Sequence, residues 1–125
     1  MKDFAISLGH RAGELARVAG ALSRMQVNIK SVAGLTVGNQ VLVRIIADNP
    51  EAARTALRES NIQFEEAEVI KVLLENKAGE LADVAARLAK AGINLLAIYL
   101  TGIEDDLVEL AIIADDPKQA RKILE

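Results

Sequence analysis

The 125 residues predict an α+β protein built from two tandem units. Each unit runs strand, helix, strand, strand, helix, strand, with an antiparallel sheet and both helices on one face, and the second unit lacks its last strand. Three observations carry this prediction. The pentapeptide Ala-Gly-Glu-Leu-Ala occurs at 12–16 and again at 78–82. Apolar residues at helical spacing follow each copy. The motif Ala-Asp-Asn-Pro at 47–50 returns as Ala-Asp-Asp-Pro at 114–117. Self-similarity of this kind marks a repeated structural unit, here covering 1–68 and 69–125.

Each unit opens with a strand, because Phe4, Ile6 and Leu8 alternate with smaller or polar residues, as do Ile70, Val72 and Leu74. After the pentapeptide, Leu15, Val18, Ala19, Leu22 and Met25 form an apolar stripe at helical spacing, mirrored by Leu81, Val84, Ala85, Leu88 and Ala91. Second strands are expected over Val27 to Leu35 and Ile93 to Leu100. Gly38-Asn39 and Glu104 to Asp106 turn the chain back into Val41 to Ala47 and Val108 to Ala114. Asn49 and Asp116 are helix caps with Pro50 and Pro117 at the first helical position. Ile62 to Glu68 then returns as a fourth strand. This order describes a ferredoxin-like sandwich. Glu125 aligns with Arg58, inside the second helix of the second unit. The missing strand leaves a sheet edge that is either tolerated, cut away or filled by another chain.

Composition narrows the function. Fifteen basic residues against eighteen acidic ones, interspersed along the chain, give a net charge of −3, which argues against nucleic acid or an anionic membrane as partner. There is no cysteine, so disulfides, thiolate metal sites and a thiol nucleophile are all excluded. The opening Met-Lys-Asp-Phe-Ala-Ile-Ser-Leu-Gly has neither the pattern of a signal peptide nor that of a membrane span, and the expected location is cytoplasmic. No metal or cofactor site is expected.

The pentapeptide loop has chemistry of its own. Ala12 and Ala78 precede the glycines where a capping Ser, Thr or Asp would usually stand. The first helical amides then face water or a ligand, and with the helix dipole they suit a carboxylate or phosphate. Gly13 and Gly79 permit positive φ. Glu14 and Glu80 fit the dipole at a helix start and are not read as catalytic. Asn28 and Asn94 stand just past the first helix, where a turn role competes with a ligand role. Each side chain offers a donor and an acceptor that suit an amino acid's carboxylate and ammonium.

Together, a Gly after the first strand, the spacing Gly-x-Leu-x-x-Val-x-x-x-Leu and a Gly-Ile-Asn before the second strand resemble the ACT domain, here in tandem. The resemblance spans nearly the whole chain and is best over residues 76–94. It implies a regulatory module that binds a small metabolite, an amino acid above all, where units pair in a homodimer or larger homo-oligomer. One implied site uses Asn76, Lys77, Ala78, Gly79, Glu80 and Leu81 with Asn28; the other uses His10, Arg11, Ala12, Gly13, Glu14 and Leu15 with Asn94. The family's common Pro before Gly is Ala12 and Ala78 here. Asn76 fits the family's frequent Asn three residues before Gly, and His10 does not, so the Asn76 loop ranks first.

Rival readings fare worse. No acylphosphatase-like loop of the form Gly-x-Val-Gln-Gly-Val-x-Tyr-Arg exists, and His10, the one histidine, has no partners placed for catalysis, so no enzyme is expected. The RNA-binding version of the fold needs aromatics on its central strands, where this chain has aliphatics. A ligand-free interaction module is the serious alternative. The outer sheet face is expected to carry Leu42, Ile46, Leu73, Leu96, Ile98, Leu100 and Ile113, which is too much apolar surface to leave in water.

Overall fold

A computed structural model describes all residues, 1–125. It divides into two compact units, Met1–Ala67 and Glu68–Glu125. Unit 1 contains β1 (Lys2–Gly9), α1 (Glu14–Arg24), β2 (Ile29–Val37), β3 (Gln40–Ala47), α2 (Pro50–Glu59) and β4 (Glu65–Glu68). Unit 2 contains β5 (Ile70–Glu75), α3 (Glu80–Lys90), β6 (Leu95–Glu104), β7 (Leu107–Ala114) and α4 (Pro117–Leu124). The sheets run β2-β3-β1-β4 and β5-β7-β6, the ferredoxin-like order, with the fourth position unfilled in unit 2. β1 and β2 are antiparallel to β3, as β5 and β6 are to β7.

In unit 1 the alternation of β1 sends Phe4, Ile6 and Leu8 into a core with Val18 and Leu22 of α1, Val43 and Ile45 of β3, and Ala53 and Leu57 of α2. Unit 2 repeats this on a smaller scale with Ile70, Val72, Val84, Leu88, Ile112 and Ala120. Asn49 and Asp116 cap α2 and α4, accepting from the amides of Ala52 at 3.1 Å and Gln119 at 3.2 Å.

The ends of three helices explain why later strands begin where they do. The amides of Val27, Ile62 and Ile93 donate back to the carbonyls of Leu22, Leu57 and Leu88 at 3.0, 2.9 and 3.0 Å. The residue before each takes a left-handed backbone: Gln26 (φ 57°), Asn61 (φ 57°) and Gly92 (φ 74°). This is a Schellman-type closure, and the apolar residue that completes it is buried in each case. Val27 and Ile93 therefore belong to helix ends, and β2 and β6 begin two residues later than expected. Ile62 is likewise used by α2, so the fourth strand shrinks from the expected Ile62 to Glu68 to Glu65–Glu68.

Two expectations about faces need correction. Leu15 and Leu81 fall on the helical stripe, yet both are 52% exposed. Helical side chains lean toward the N-terminus, so those in the first turn extend over the preceding loop and not over the sheet. Ile98 and Leu100 lie opposite Ile112 and Leu110, on the helix-covered face and not the outer one. Irregularities at Leu95/Ala97 and Leu100/Gly102 shift the alternation of β6. Leu42, Ile46, Leu73 and Ile113 do lie on the outer face, and of these Leu42 and Leu73 are exposed while Ile46 and Ile113 are buried.

Candidate functional site

The two loops are built alike. β1 ends at Gly9 and β5 at Glu75, and the amides of Arg11 and Lys77 turn back onto the carbonyls of those residues, both at 2.9 Å. The chain then crosses Gly13 (φ 89°) and Gly79 (φ 93°) into a helix with no side-chain cap. That left-handed φ is why glycine stands there, since a Cβ would meet no atom within 4 Å. The first amides to bond back onto these glycines are those of Arg17 and Asp83, each at 3.0 Å. Of the helix amides ahead of them, that of Glu14 reaches the carbonyl of Arg11 at 3.5 Å, and all lack a helical partner at i−4, where the dipole favours negative charge.

The surroundings of the two loops differ. In unit 1 the half-buried Glu14 is gripped by Arg11 at 2.5 Å and Arg17 at 3.0 Å. Hydrogen bonds from Arg11 first, then Arg17, hold its carboxyl below the ordinary carboxylate range. His10 is exposed, and its amide is bonded to the carbonyl of Asn39 at 3.2 Å. In unit 2, Asp83 stands where unit 1 has Arg17, and Lys77 pairs with Glu75 at 2.9 Å, leaving Glu80 without an ion pair. The amide of Asn76 is tied to the carbonyl of Asp106 at 2.6 Å, while its side chain is exposed. Ala12 and Ala78 are exposed beside the glycines.

Asn28 and Asn94 sit at the far end of their sheets. Gly9 lies opposite Gln40, whereas Ile29, which follows Asn28, lies opposite Ala47. Seven residues of strand separate the two ends, about 24 Å at the usual rise. The structure therefore does not bring the loop of a unit together with the Asn of that unit. Neither Asn is the helix stop, which falls to Gln26 and Gly92.

The sequence reading missed what these asparagines do in their own units. Asn28 and Asp48 exchange bonds, amide to Oδ1 at 3.0 Å and amide to carbonyl at 3.0 Å. Asn94 and Asp115 do the same at 3.1 and 3.0 Å, and the side-chain amide of Asn94 adds a bond to Asp115 Oδ2 at 3.1 Å. The signal was present in the repeated Ala-Asp before the capping residue. One consequence is an asymmetry: the side chain of Asn94 is engaged, and that of Asn28 makes no hydrogen bond.

No group of three or more His, Asp or Glu residues is placed to hold a metal ion, and no helix is long and apolar enough to cross a membrane.

Comparison with known proteins bears on the fold. Residues 69–125 match the family model of the ACT domain. Among solved structures, a Bacteroides thetaiotaomicron protein superposes with a TM-score of 0.86 at 20% identity, over 98% of this chain and 85% of that one. The regulatory subunit of aspartate kinase from Thermus flavus gives 0.69 at 17% identity, over 98% and 86%. Aspartokinase III of E. coli, in complex with lysine and aspartate, gives 0.55 at 18% identity, over 98% of this chain and 29% of that one. These similarities are similarities of fold. No curated protein matches the sequence significantly.

Proposed function

We propose that the chain is a small-molecule-binding regulatory protein that binds an amino acid at the loop Asn76 to Leu81, a reading supported by the match of residues 69–125 to the ACT domain model and by the repeat of the same element order in the first unit. The observation that carries the proposal is the uncapped start of α3 on a left-handed Gly79, beside acids with no cation committed to them. The ligand carboxylate lies on the first helical amides, where the dipole favours it. Its ammonium meets Glu80 and Asp83, and its side chain rests on the exposed Leu81. Asn28 of a second copy, whose amide is uncommitted, completes the site, so occupancy is coupled to association of copies. The protein acts by binding and not by catalysis.

The corresponding site of His10, Arg11, Ala12, Gly13, Glu14 and Leu15 with Asn94 is the weaker one, because Glu14 is already neutralised by two arginines and Asn94 by Asp115.

A thermal-shift screen of the twenty amino acids tests the proposal. A ligand at a hundredfold excess over Kd stabilises the native state by about 2.7 kcal/mol. One or a few amino acids should raise the melting temperature of the wild type, and Asn28→Ala should reduce the shift. No shift with any of them favours a ligand-free interaction module, a reading the exposed Leu42, Leu73 and Leu96 support.

A further inference from the structure

Unit 1 contains a cleft of about 860 Å³ that includes none of the loop residues and neither Asn28 nor Asn94. It lies beside the middle of β1 and the segment leading from α2 into β4. β4 has four residues against eight in β1, so part of that strand's edge is left without a neighbour. The short β4 follows from the helix closure at Asn61 and Ile62, so the cleft is a product of the local sequence.

Its lining combines apolar walls from Ile62 and Phe64 with the polar groups of Ser7, Asn61, Gln63 and Arg58 and the carboxylate of Glu65. A volume of this size with a few converging polar groups is the usual form of a small-molecule site. The charges at its margin are sorted. Arg44 is neutralised by the buried Asp3 at 2.7 Å. Glu66 is held by Arg54, with a bond to NH2 at 2.9 Å and a second, closer one to Nε. Arg58 has no ion pair. It is positioned instead over the ring of Phe64, 5.8 Å from the centroid, and that ring is fixed edge-on against Phe4 at 5.5 Å. Arg58 is thus a held cation with no ion pair: Glu66, committed to Arg54, acts on it only through space, and Glu65, which also lines the cleft, is exposed to solvent.

We propose that this cleft is a second binding site, separate from the pentapeptide loops, for a small organic anion. The carboxylate or phosphate of the ligand meets the Arg58 guanidinium, with Asn61, Gln63 and Ser7 as further hydrogen-bonding groups. Its apolar body, best a ring, packs on Phe64 and Ile62. The site does not depend on amino-acid binding at the Asn76 loop, and either can fail without the other.

The test is a titration of the ¹⁵N-labelled full chain with phenylacetate, phenyl phosphate and the neutral benzyl alcohol, followed by amide shifts. At least one anion should shift Ala5 to Ser7 and Asn61 to Glu65, and the two anions separate a carboxylate from a phosphate preference. Benzyl alcohol, and either anion with Arg58→Ala, should bind about tenfold more weakly. Ser7→Phe, which fills the cleft from an exposed strand position, should remove the shifts while leaving the fold intact. The proposal is overturned if neither anion moves these amides, if benzyl alcohol binds as well as the anions, or if Arg58→Ala changes nothing in a chain that remains folded.

Discussion

The loops after β1 and β5 share the same left-handed glycine, the same uncapped helix start and the same pentapeptide, yet they present opposite charge. Arg11, Glu14 and Arg17 form a closed cluster in unit 1 with one excess positive charge. Lys77, Glu80 and Asp83 leave unit 2 with one excess negative charge, and Lys77 is turned toward Glu75. What the repeat preserves is therefore the backbone, and what differs is the charge around the helix start. Backbone amides at a helix start need only the glycine turn. Recognition of an ammonium needs acids that are not already paired.

The strongest test of that comparison lies in the cores beneath the loops. Leu22 and Leu88 occupy equivalent places and are each 1% exposed, so truncation to Ala should cost about 2–5 kcal/mol at either site. The larger core of unit 1 should put Leu22→Ala at the upper end, as measured by urea denaturation. An equal or larger loss for Leu88→Ala would show that the units do not differ in packing as described.

Gln26 and Gly92 sharpen the comparison at a single backbone position. Both are left-handed, but only unit 2 places glycine there. A non-glycine residue in this conformation costs about 1–2 kcal/mol, partly offset by the unfolded-state entropy of glycine. Gln26→Gly should therefore stabilise the protein and Gly92→Ala destabilise it, both by about 1 kcal/mol in chemical denaturation.

Acid should show the smallest difference. Glu14 and Glu66 in unit 1 have carboxyl pKa values lowered by arginine hydrogen bonds, and Glu109 in unit 2 has its own lowered by Thr101 and then Lys71. A carboxyl lowered in the folded state contributes its full stability above the unfolded pKa of about 4.3, and loses it as pH falls through the folded value. The melting temperature should thus hold from pH 7 to about 5 and decline below about 4. Glu66→Gln should flatten part of that decline, as followed by circular dichroism.

Most of the architecture was legible because it rests on local rules. Alternation in β1 and β5, caps at Asn49 and Asp116, and prolines at the first helical position each act within a few residues. The failures arose where position along an element decides. Leu15 and Leu81 keep helical spacing but stand in a first turn that overhangs the loop. Ile98 and Leu100 changed faces because an irregularity in β6 shifts parity, and no single residue announces it. Asp48 and Asp115 could have been found, since they repeat, but their partners are twenty and twenty-one residues away in sequence. The loops were found from the repeat, whereas the cleft at Arg58 was not, because its lining is gathered from residues 5–7, 42–44, 58 and 61–65, which no repeated motif marks.

The most direct test of the divergence is a calorimetric titration of the most stabilising amino acid into the wild type, Glu14→Gln and Glu80→Gln. Glu80→Gln should weaken binding by about tenfold, the loss of one charge-assisted contact, and Glu14→Gln should leave it within about twofold. Equal losses in the two variants, or a greater loss in Glu14→Gln, would contradict the assignment of the ligand site to unit 2.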